Sequence, residues 1–229
     1  MQNDSPDTEK LLVPWPRVVT FTRQLSHDVR NGLNALDLEA SYITELNTDP
    51  EIAEELKKLR GMVVNITKML HGVSSTMGAF SMNPIDLEAE ILLGELRERL
   101  TKLQPKEMEG VSWSVKLGDE SLEVDIERLW EATREIFENA FQFRENGKAI
   151  AFAAHCEGAL LFLELREEKT APVAPGEWGT PLLSTRRGGF GLGLFHAGRV
   201  LAAHGGELTM AYDGEAAAVV TRMTLPLKK

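Results

Sequence analysis

One short segment carries side chains that could do chemistry together. Residues 21–43, FTRQLSHDVRNGLNALDLEASYI, place His27 beside Asp28, with Arg30 and Asn31 directly after. An imidazole next to a carboxylate keeps one ring nitrogen free to attack phosphorus, and the carboxylate can orient the ring and accept its proton. The alternative is an ordinary solvated helix face with an idle histidine.

The helix that holds this segment decides where His27 points. Apolar residues recur at helical spacing, which predicts one helix from about Pro16 to Leu46. His27 lies two residues from both Leu25 and Val29, and each residue of a helix turns about 100°. We therefore expect His27 to face solvent, roughly opposite the apolar stripe. The stripe consists of Val18, Leu25, Val29, Leu33, Leu36, Ala40 and Ile43.

A second helix follows a break at residues 47–50, Asn-Thr-Asp-Pro, where Asp49 is the predicted N-cap and Pro50 the first helical residue. Its apolar residues alternate in steps of four and three, which is an a/d seam. Two such arms would leave apolar surface exposed, so we expect two chains to form a four-helix bundle. The alternative is that the hairpin packs on its own C-terminal domain. The seam consists of Ile52, Leu56, Leu59, Val63, Ile66, Leu70 and Val73.

Beyond Asn83-Pro84 the pattern changes to mixed helices and strands. This order favours the α+β class, with a mixed sheet and helices on one face. The predicted helices are 86–103, 125–144 and 191–203, and the predicted strands are 111–117, 149–154, 160–165, 207–212 and 217–225.

The composition of the chain restricts the classes of binding partner and the cellular setting that we expect. A net charge of −10 and a pI near 5.1 disfavour nucleic acid and anionic membranes, because the long-range field repels both. The only cysteine, Cys156, excludes an intramolecular disulfide and is typical of a reducing, cytoplasmic setting. No run approaches 18 uninterrupted apolar residues, and the N-terminus lacks a signal-peptide pattern, so we expect no membrane insertion.

Three segments resemble, in order, the core of two-component sensor histidine kinases. LSHDVRNGL (25–33) resembles the phospho-acceptor motif, DIERLWEATREIFENAFQF (125–143) the asparagine-containing helix, and LLSTRRGGFGLGLFHAGRVLAAHGGEL (182–208) the lid end and second glycine-rich motif. The resemblance implies a dimerising hairpin before a Bergerat-type α/β sandwich of about five strands and three helices. The domains would be a frayed segment at 1–15, a dimerisation and phosphotransfer hairpin at 16–82 and a degenerate ATPase-like domain at 83–229.

The first motif assigns roles around the histidine. The resemblance implies that His27 carries the phosphoryl group and that Asp28 orients it. Asn31, four residues on, shares the face of His27, as Gln24 does. Asn31 could position a water for attack on a receiver phospho-aspartate, or simply bond to a docked partner. Arg30 could offset phosphate charge or pair with a carboxylate.

The other two motifs concern a nucleotide, if one binds. The resemblance places Asn139 where the kinases hold Mg²⁺, with Glu138 beside it. Glycines before a helix let backbone amides approach phosphate oxygens at the positive end of that helix. These glycines are Gly188, Gly189, Gly191 and Gly193. The other histidines, His71, His155, His196 and His204, are interpreted as structural.

The chain departs from the kinases at the adenine end of the pocket. Their Asp-x-Gly-x-Gly motif binds the adenine amino group through its aspartate. Alternation along LLFLELREEKTA (160–171) puts Glu167 at the aspartate, with Lys169 and Ala171 at the two glycines. Gly32 stands where the family usually has proline. At Lys169 and Ala171 a side chain replaces the hydrogen of glycine, although the backbone must approach the base at these positions.

Three functions are consistent with these features. The first is a dimeric histidine phosphotransferase that relays a phosphoryl group between receiver-domain aspartates through His27 without ATP, and the missing adenine motif favours it. The second is an ATP-dependent histidine kinase core that phosphorylates His27 with Mg²⁺ at Asn139. The third is a non-catalytic dimer that docks response regulators. Response-regulator receiver domains and a second copy of the chain are the expected partners in each case.

Overall fold

The computed structural model of the chain describes residues 13–78, 80–173, 178–183 and 190–228, except the side chains of Lys68, His71 and Ser75. Contacts divide the chain into two units, with the boundary between Phe80 and Ser81. Within the described residues, the first unit is helical and the second combines helices with strands. None of the described helices is long and apolar enough to cross a membrane.

The described residues of the first unit form two long helices. Helix α1 (Trp15–Leu46) and helix α2 (Pro50–Met77) are the two arms of the predicted hairpin. The backbone N–H of Glu51 donates to Oδ1 of Asp49 at 2.8 Å, which caps the start of α2. The predicted break and restart are therefore correct.

The two arms bury only part of their apolar surface against each other. Leu33 and Ala40 of α1 and Val63 of α2 are buried, and Arg60 Nε donates to Asp37 Oδ1 at 2.8 Å between the arms. Many large apolar side chains of the predicted stripe and seam stay exposed. These are Leu25, Val29, Leu36 and Ile43 on α1 and Ile52, Leu59 and Ile66 on α2.

The second unit is built around a five-stranded sheet with strand order β2-β4-β5-β7-β6. Strands β2 and β4 are parallel and the other neighbours are antiparallel, so the sheet is mixed, as predicted. Its strands are β2 (Val111–Lys116), β4 (Ile150–Glu157), β5 (Leu160–Glu168), β6 (Glu207–Asp213) and β7 (Ala218–Pro226). The helices are α3 (Ala89–Leu103), α4 (Pro105–Met108), α5 (Ile126–Phe143) and α6 (Gly193–Ala203).

A second, two-stranded sheet was not predicted. Strands β1 (Ile85–Glu88) and β3 (Ser121–Val124) pair antiparallel, so residues 86–88, predicted as the start of a helix, are extended. Four residues are too few to distinguish a strand from a first helical turn by periodicity. The partner strand, distant in sequence, decides the conformation.

Aromatic packing joins α5 to the sheet. Phe137 of α5 is fully buried, with its ring centroid 5.9 Å from that of Trp113 and 5.7 Å from that of Phe152. Leu163 and Leu165 of β5 are buried on the same side, in register with residues 154 and 152. Side chains at odd positions of β5 therefore point into the core beneath the helices.

Candidate functional site

His27 lies on the exposed surface of α1, as predicted, within a small polar cluster. The side chains of His27 and Asp28 are 65% and 59% exposed, and Nδ1 of His27 lies 3.1 Å from Oδ1 of Asp28. Hydrogen bonds from His27 and then from Gln24 hold the pKa of Asp28 below its usual value. An ionised carboxylate accepts a hydrogen bond from Nδ1–H, which leaves the lone pair of Nε2, on the opposite edge of the ring, for attack.

Asn31 joins this cluster and Arg30 does not. Asn31 places its amide nitrogen 3.4 Å from Nδ1 of His27, one helical turn away. Arg30 is half-buried and, among the described residues, adds no hydrogen bond to the group. The structure thus brings together His27, Asp28 and Asn31, as the sequence predicted for one helix face.

Helix α5 positions the predicted magnesium ligand. Asp125 caps the helix by accepting from the backbone N–H of Arg128 at 3.1 Å. Asn139 and Glu138 are half-buried, beside the fully buried Ala140. Arg134 Nε lies 3.9 Å from Oε1 of Glu138, so this carboxylate already has a cation near it.

Helices α5 and α6 lie side by side and antiparallel. His196 Nε2 of α6 is 3.0 Å from Oε2 of Glu131, and further along α5 the carboxylate of Glu135 lies directly against Gly193, the first residue of α6. A Cβ atom at position 193 would overlap that carboxylate. Asn139, one turn beyond Glu135, therefore lies past the N-terminal end of α6.

Of the four predicted phosphate-loop glycines, the structure describes two. Gly191 has φ of +63°, and a Cβ atom there would overlap the backbone of Leu183. Glycine is required at this position by both the backbone conformation and the close approach of another segment. At Gly193 a Cβ atom would meet only the carboxylate of Glu135, a side chain that can move, while Gly188 and Gly189 lie outside the described residues.

The adenine end of the predicted pocket holds a buried ion pair. Nζ of Lys169 is 3.1 Å from Oε2 of Glu167 and donates to the carbonyl oxygen of Phe143 at 2.8 Å. Glu167 is 4% and Lys169 7% exposed. Burial raises the pKa of Glu167, and the neighbouring ammonium of Lys169 opposes that rise. Glu167 therefore points into the core, where the alternation of β5 placed it.

The remaining histidines that the structure describes have structural contacts. His204 accepts from the backbone N–H of Asp125 at Nε2 (3.0 Å), and its Nδ1 is 2.8 Å from the carbonyl of Val200. His155 stacks on Phe162 with ring centroids 5.2 Å apart. The side chain of His71 lies outside the described residues. The described part of the chain contains no cluster of three or more His, Cys, Asp or Glu that could hold a metal ion.

A separate groove of about 370 Å³ lies along α6. Trp178, Phe195, Arg199 and Met210 are among the residues that line it, and Asn139 is not. The groove is therefore distinct from the predicted nucleotide residues.

Sequence reasoning missed one residue and one contact of these clusters. Glu135 stands four residues before Asn139, a spacing that puts both on one helix face and could have drawn attention to it. The pairing of Lys169 with Glu167 was also missed, although residues two apart at the end of a strand point to the same face. Only the tertiary structure shows that Glu135 lies against Gly193 and that Lys169 and Glu167 are buried together.

The hairpin followed by a mixed sheet with helices is the fold of the two-component histidine kinase core. No protein-family model matches the chain, and no curated protein matches it significantly. Among solved structures, the chain is similar to full-length ShkA in complex with AMPPNP, at 20% identity and a TM-score of 0.68. This match covers 92% of the chain but only 46% of ShkA, so the chain spans about half of that protein.

Two further structures match about two thirds of the chain. The nucleotide-free catalytic domain of the histidine kinase ThkA has 18% identity and a TM-score of 0.53, over 63% of this chain and 96% of that one. The mycobacterial sensor histidine kinase MprB has 17% identity and a TM-score of 0.51, over 65% of this chain and 99% of that one. These likenesses establish the kinase-core fold.

Proposed function

We propose that the protein is a dimeric histidine phosphotransferase of two-component signalling. It takes a phosphoryl group from the aspartate of one receiver domain onto His27 and passes it to another, without using ATP. A cytoplasmic location is part of the same proposal, because the partners are response regulators. The observation that carries the proposal is the buried pair of Lys169 and Glu167.

This pair takes the place that adenine recognition needs. The carboxylate that would accept from the adenine amino group already accepts from Lys169 at 3.1 Å. The same ammonium also donates to Phe143 at the end of α5. Removing one partner of a buried ion pair costs about 3–5 kcal/mol, so an entering base would have to offset a large penalty. The residues at this end do not fit adenine.

The phosphate end also carries a charge of the wrong sign. The carboxylate of Glu135 lies against Gly193, where the positive end of α6 begins, and Arg134 Nη2 donates to it at 3.0 Å. A helix N-terminus favours an anion, and here the protein supplies that anion itself. A nucleoside triphosphate would meet a carboxylate at this point, although one that is paired with Arg134.

The chemistry proposed for His27 needs no nucleotide. Nε2 attacks the phosphorus of a receiver aspartyl phosphate, the N–P bond forms, and the acyl phosphate P–O bond breaks to release the aspartate carboxylate. The ring then gains a positive charge, which Asp28 offsets by taking up the Nδ1 proton across 3.1 Å. The return step reverses these bonds on the second receiver, whose own Mg²⁺ site would hold the phosphoryl oxygens.

The dimer proposed here uses the exposed stripe of the hairpin. Leu36 of α1 is 55% exposed and Leu59 of α2 is 42% exposed, in a seam that the hairpin alone does not cover. Contiguous exposed apolar surface marks an interface, and a second hairpin supplies a matching stripe. Nine residues at about 100° each put Leu36 half a turn from His27, so dimerisation would leave the histidine accessible.

The direct test is transfer from a phosphorylated receiver. Receiver domains are phosphorylated with acetyl phosphate, desalted and mixed with the protein in the absence of ATP. Phosphohistidine, which is acid-labile, is then followed on phosphoprotein gels. Phosphohistidine on the wild-type protein that does not form on His27→Ala supports the proposal. A receiver that binds the protein but transfers no phosphoryl group would instead indicate a docking scaffold.

A second candidate, the ATP-dependent kinase core, is favoured by one set of features. Asn139 is half-buried on α5, and before α6 the backbone conformation and the close approach of Leu183 require glycine at Gly191. Calorimetric titration with Mg-ATP separates the candidates. Micromolar binding that is lost in Asn139→Ala would support the kinase, whereas no heat at about 1 mM ATP, the upper end of ordinary KM values, supports the phosphotransferase.

A further inference from the structure

The polar cluster on α1 contains a contact that none of the assigned roles explains. Gln24 donates from Nε2 to both oxygens of Asp28, at 2.9 Å to Oδ1 and 3.1 Å to Oδ2. The same Oδ1 lies 3.1 Å from Nδ1 of His27. One amide group therefore holds the carboxylate that faces the phospho-accepting ring.

The position of Gln24 on the helix explains why it can do this. Adjacent residues diverge by about 100° around a helix, so Asp28 does not face His27 by default. Gln24 stands three residues before His27 and four before Asp28, and so neighbours both. Its two hydrogen bonds draw the carboxylate toward the ring.

The ring nitrogen that faces the cluster has two competing neighbours. An ionised Asp28 only accepts, so its oxygen at 3.1 Å favours a proton on Nδ1. The amide nitrogen of Asn31, at 3.4 Å, is a donor and favours a bare Nδ1. Whichever neighbour is held in place decides which nitrogen of His27 keeps its lone pair.

We propose that Gln24 is a positioning residue that fixes His27 in the tautomer with the proton on Nδ1 and the lone pair on Nε2. It acts through Asp28, whose carboxylate it holds as the nearer and charged partner of Nδ1. This inference rests on the proposed function only for its purpose, which is to present the exposed Nε2 as nucleophile. The tautomer itself exists whether or not transfer occurs.

The test reads the tautomer directly. The full chain is labelled with ¹⁵N at histidine, and two-bond ¹H–¹⁵N correlation spectra are recorded at pH of about 8, where an ordinary imidazole is neutral. Spectra of His27→Ala assign the signal among the five histidines. Wild type, Gln24→Ala and Gln24→Glu are compared, since the glutamate is isosteric but repels Asp28. Asn34→Ala, which removes an exposed amide two turns beyond His27, is the matched control.

We expect the wild type and the control to show His27 protonated mainly at Nδ1. Gln24→Ala should shift the ring toward the Nε2-protonated form, and Gln24→Glu should shift it further, with helix content by circular dichroism unchanged. An Nε2-protonated wild type, or equal populations in wild type and Gln24→Glu, would overturn the inference. Absence of phosphotransfer with the expected tautomers would count against the proposed function alone.

Discussion

Lys169 holds its ammonium 3.1 Å from the carboxylate of Glu167, at a place where both side chains are buried. The same ammonium donates to the carbonyl of Phe143, the last residue of α5, so the pair also ties the end of β5 to the end of that helix. Because the ammonium also bonds to Phe143, replacing it with a ligand would lower the stability of the protein. The free energy that the pair contributes to folding can be measured.

Replacing Lys169 by methionine keeps the volume and removes the charge. We expect the free energy of unfolding to fall by about 3 kcal/mol near neutral pH, because Glu167 is left buried and unpaired. Urea unfolding of the two proteins measures this. The double variant Glu167→Leu with Lys169→Met should lie within about 1 kcal/mol of the wild type, since no charge is then buried. Equal losses in both variants would contradict the explanation.

The loss of stability caused by Lys169→Met should depend on pH, and the direction of that dependence can be derived. Burial raises the pKa of Glu167 above its unfolded value. A carboxyl of this kind contributes most to stability below its unfolded pKa, and that contribution is lost as the pH rises through the folded pKa. The loss caused by Lys169→Met should therefore shrink on acidification. Unfolding curves at several pH values would show this, and a pH-independent loss would argue against a charged Glu167.

Leu59→Glu should separate the dimer while leaving the helices formed. Leu59 is 42% exposed in the hairpin, so the new charge enters only the proposed interface between chains. Val64→Glu is the matched control, because Val64 is 47% exposed but lies about 140° from Leu59 around α2. Sedimentation should give a monomer for the first and a dimer for the second. A dimeric Leu59→Glu would refute the placement of the interface.

A charge at Val63 would test the face of α2 that packs inside the hairpin. It is buried inside the hairpin, in contrast to Leu59, which the sequence placed in the same seam. Val63→Glu should therefore reduce helix content and unfold the hairpin as well as separate the chains, because the charge is buried and unpaired. Circular dichroism beside sedimentation distinguishes the two effects. Full helix content in this variant would show that the arms do not pack as described.

His27→Ala should abolish phosphohistidine formation without affecting the fold, because the side chain is 65% exposed.

Asp28→Asn should slow transfer by about 100-fold while binding of the receiver is retained, since a general base is removed but its shape is kept. Rapid-quench measurement of the phosphohistidine rate separates chemistry from docking. An Asp28→Asn protein that transfers at the wild-type rate would remove Asp28 from the mechanism.

Gly191→Ala should destabilise the protein, with a loss of at least about 1–2 kcal/mol from the left-handed backbone alone. Gly191 has φ of +63°, and a Cβ atom would also overlap the backbone of Leu183. Gly198→Ala is the control, because nothing lies near that position within α6 and alanine is the better helix former by up to about 1 kcal/mol. Thermal unfolding compares the two. A stable Gly191→Ala protein would mean that the two segments do not approach each other.

Periodic and local features of this protein could be predicted from its sequence. The two arms of the hairpin, the cap at Asp49 and the outward direction of His27 follow from helical spacing and local hydrogen bonding. The core-facing direction of Glu167 follows from strand alternation. These features depend on residues close in sequence, which a single chain displays directly.

Features that join distant segments were decided only by the tertiary structure. Strand β1 is extended because it pairs with β3, and the carboxylate of Glu135 reaches Gly193 because α5 and α6 lie side by side. The seam of α2 is divided by the partner arm into a buried Val63 and an exposed Leu59. Even Lys169 becomes a buried cation only because Phe143 and Glu167 converge on it. Burial and pairing are properties of surfaces brought together in space, which composition and spacing do not encode.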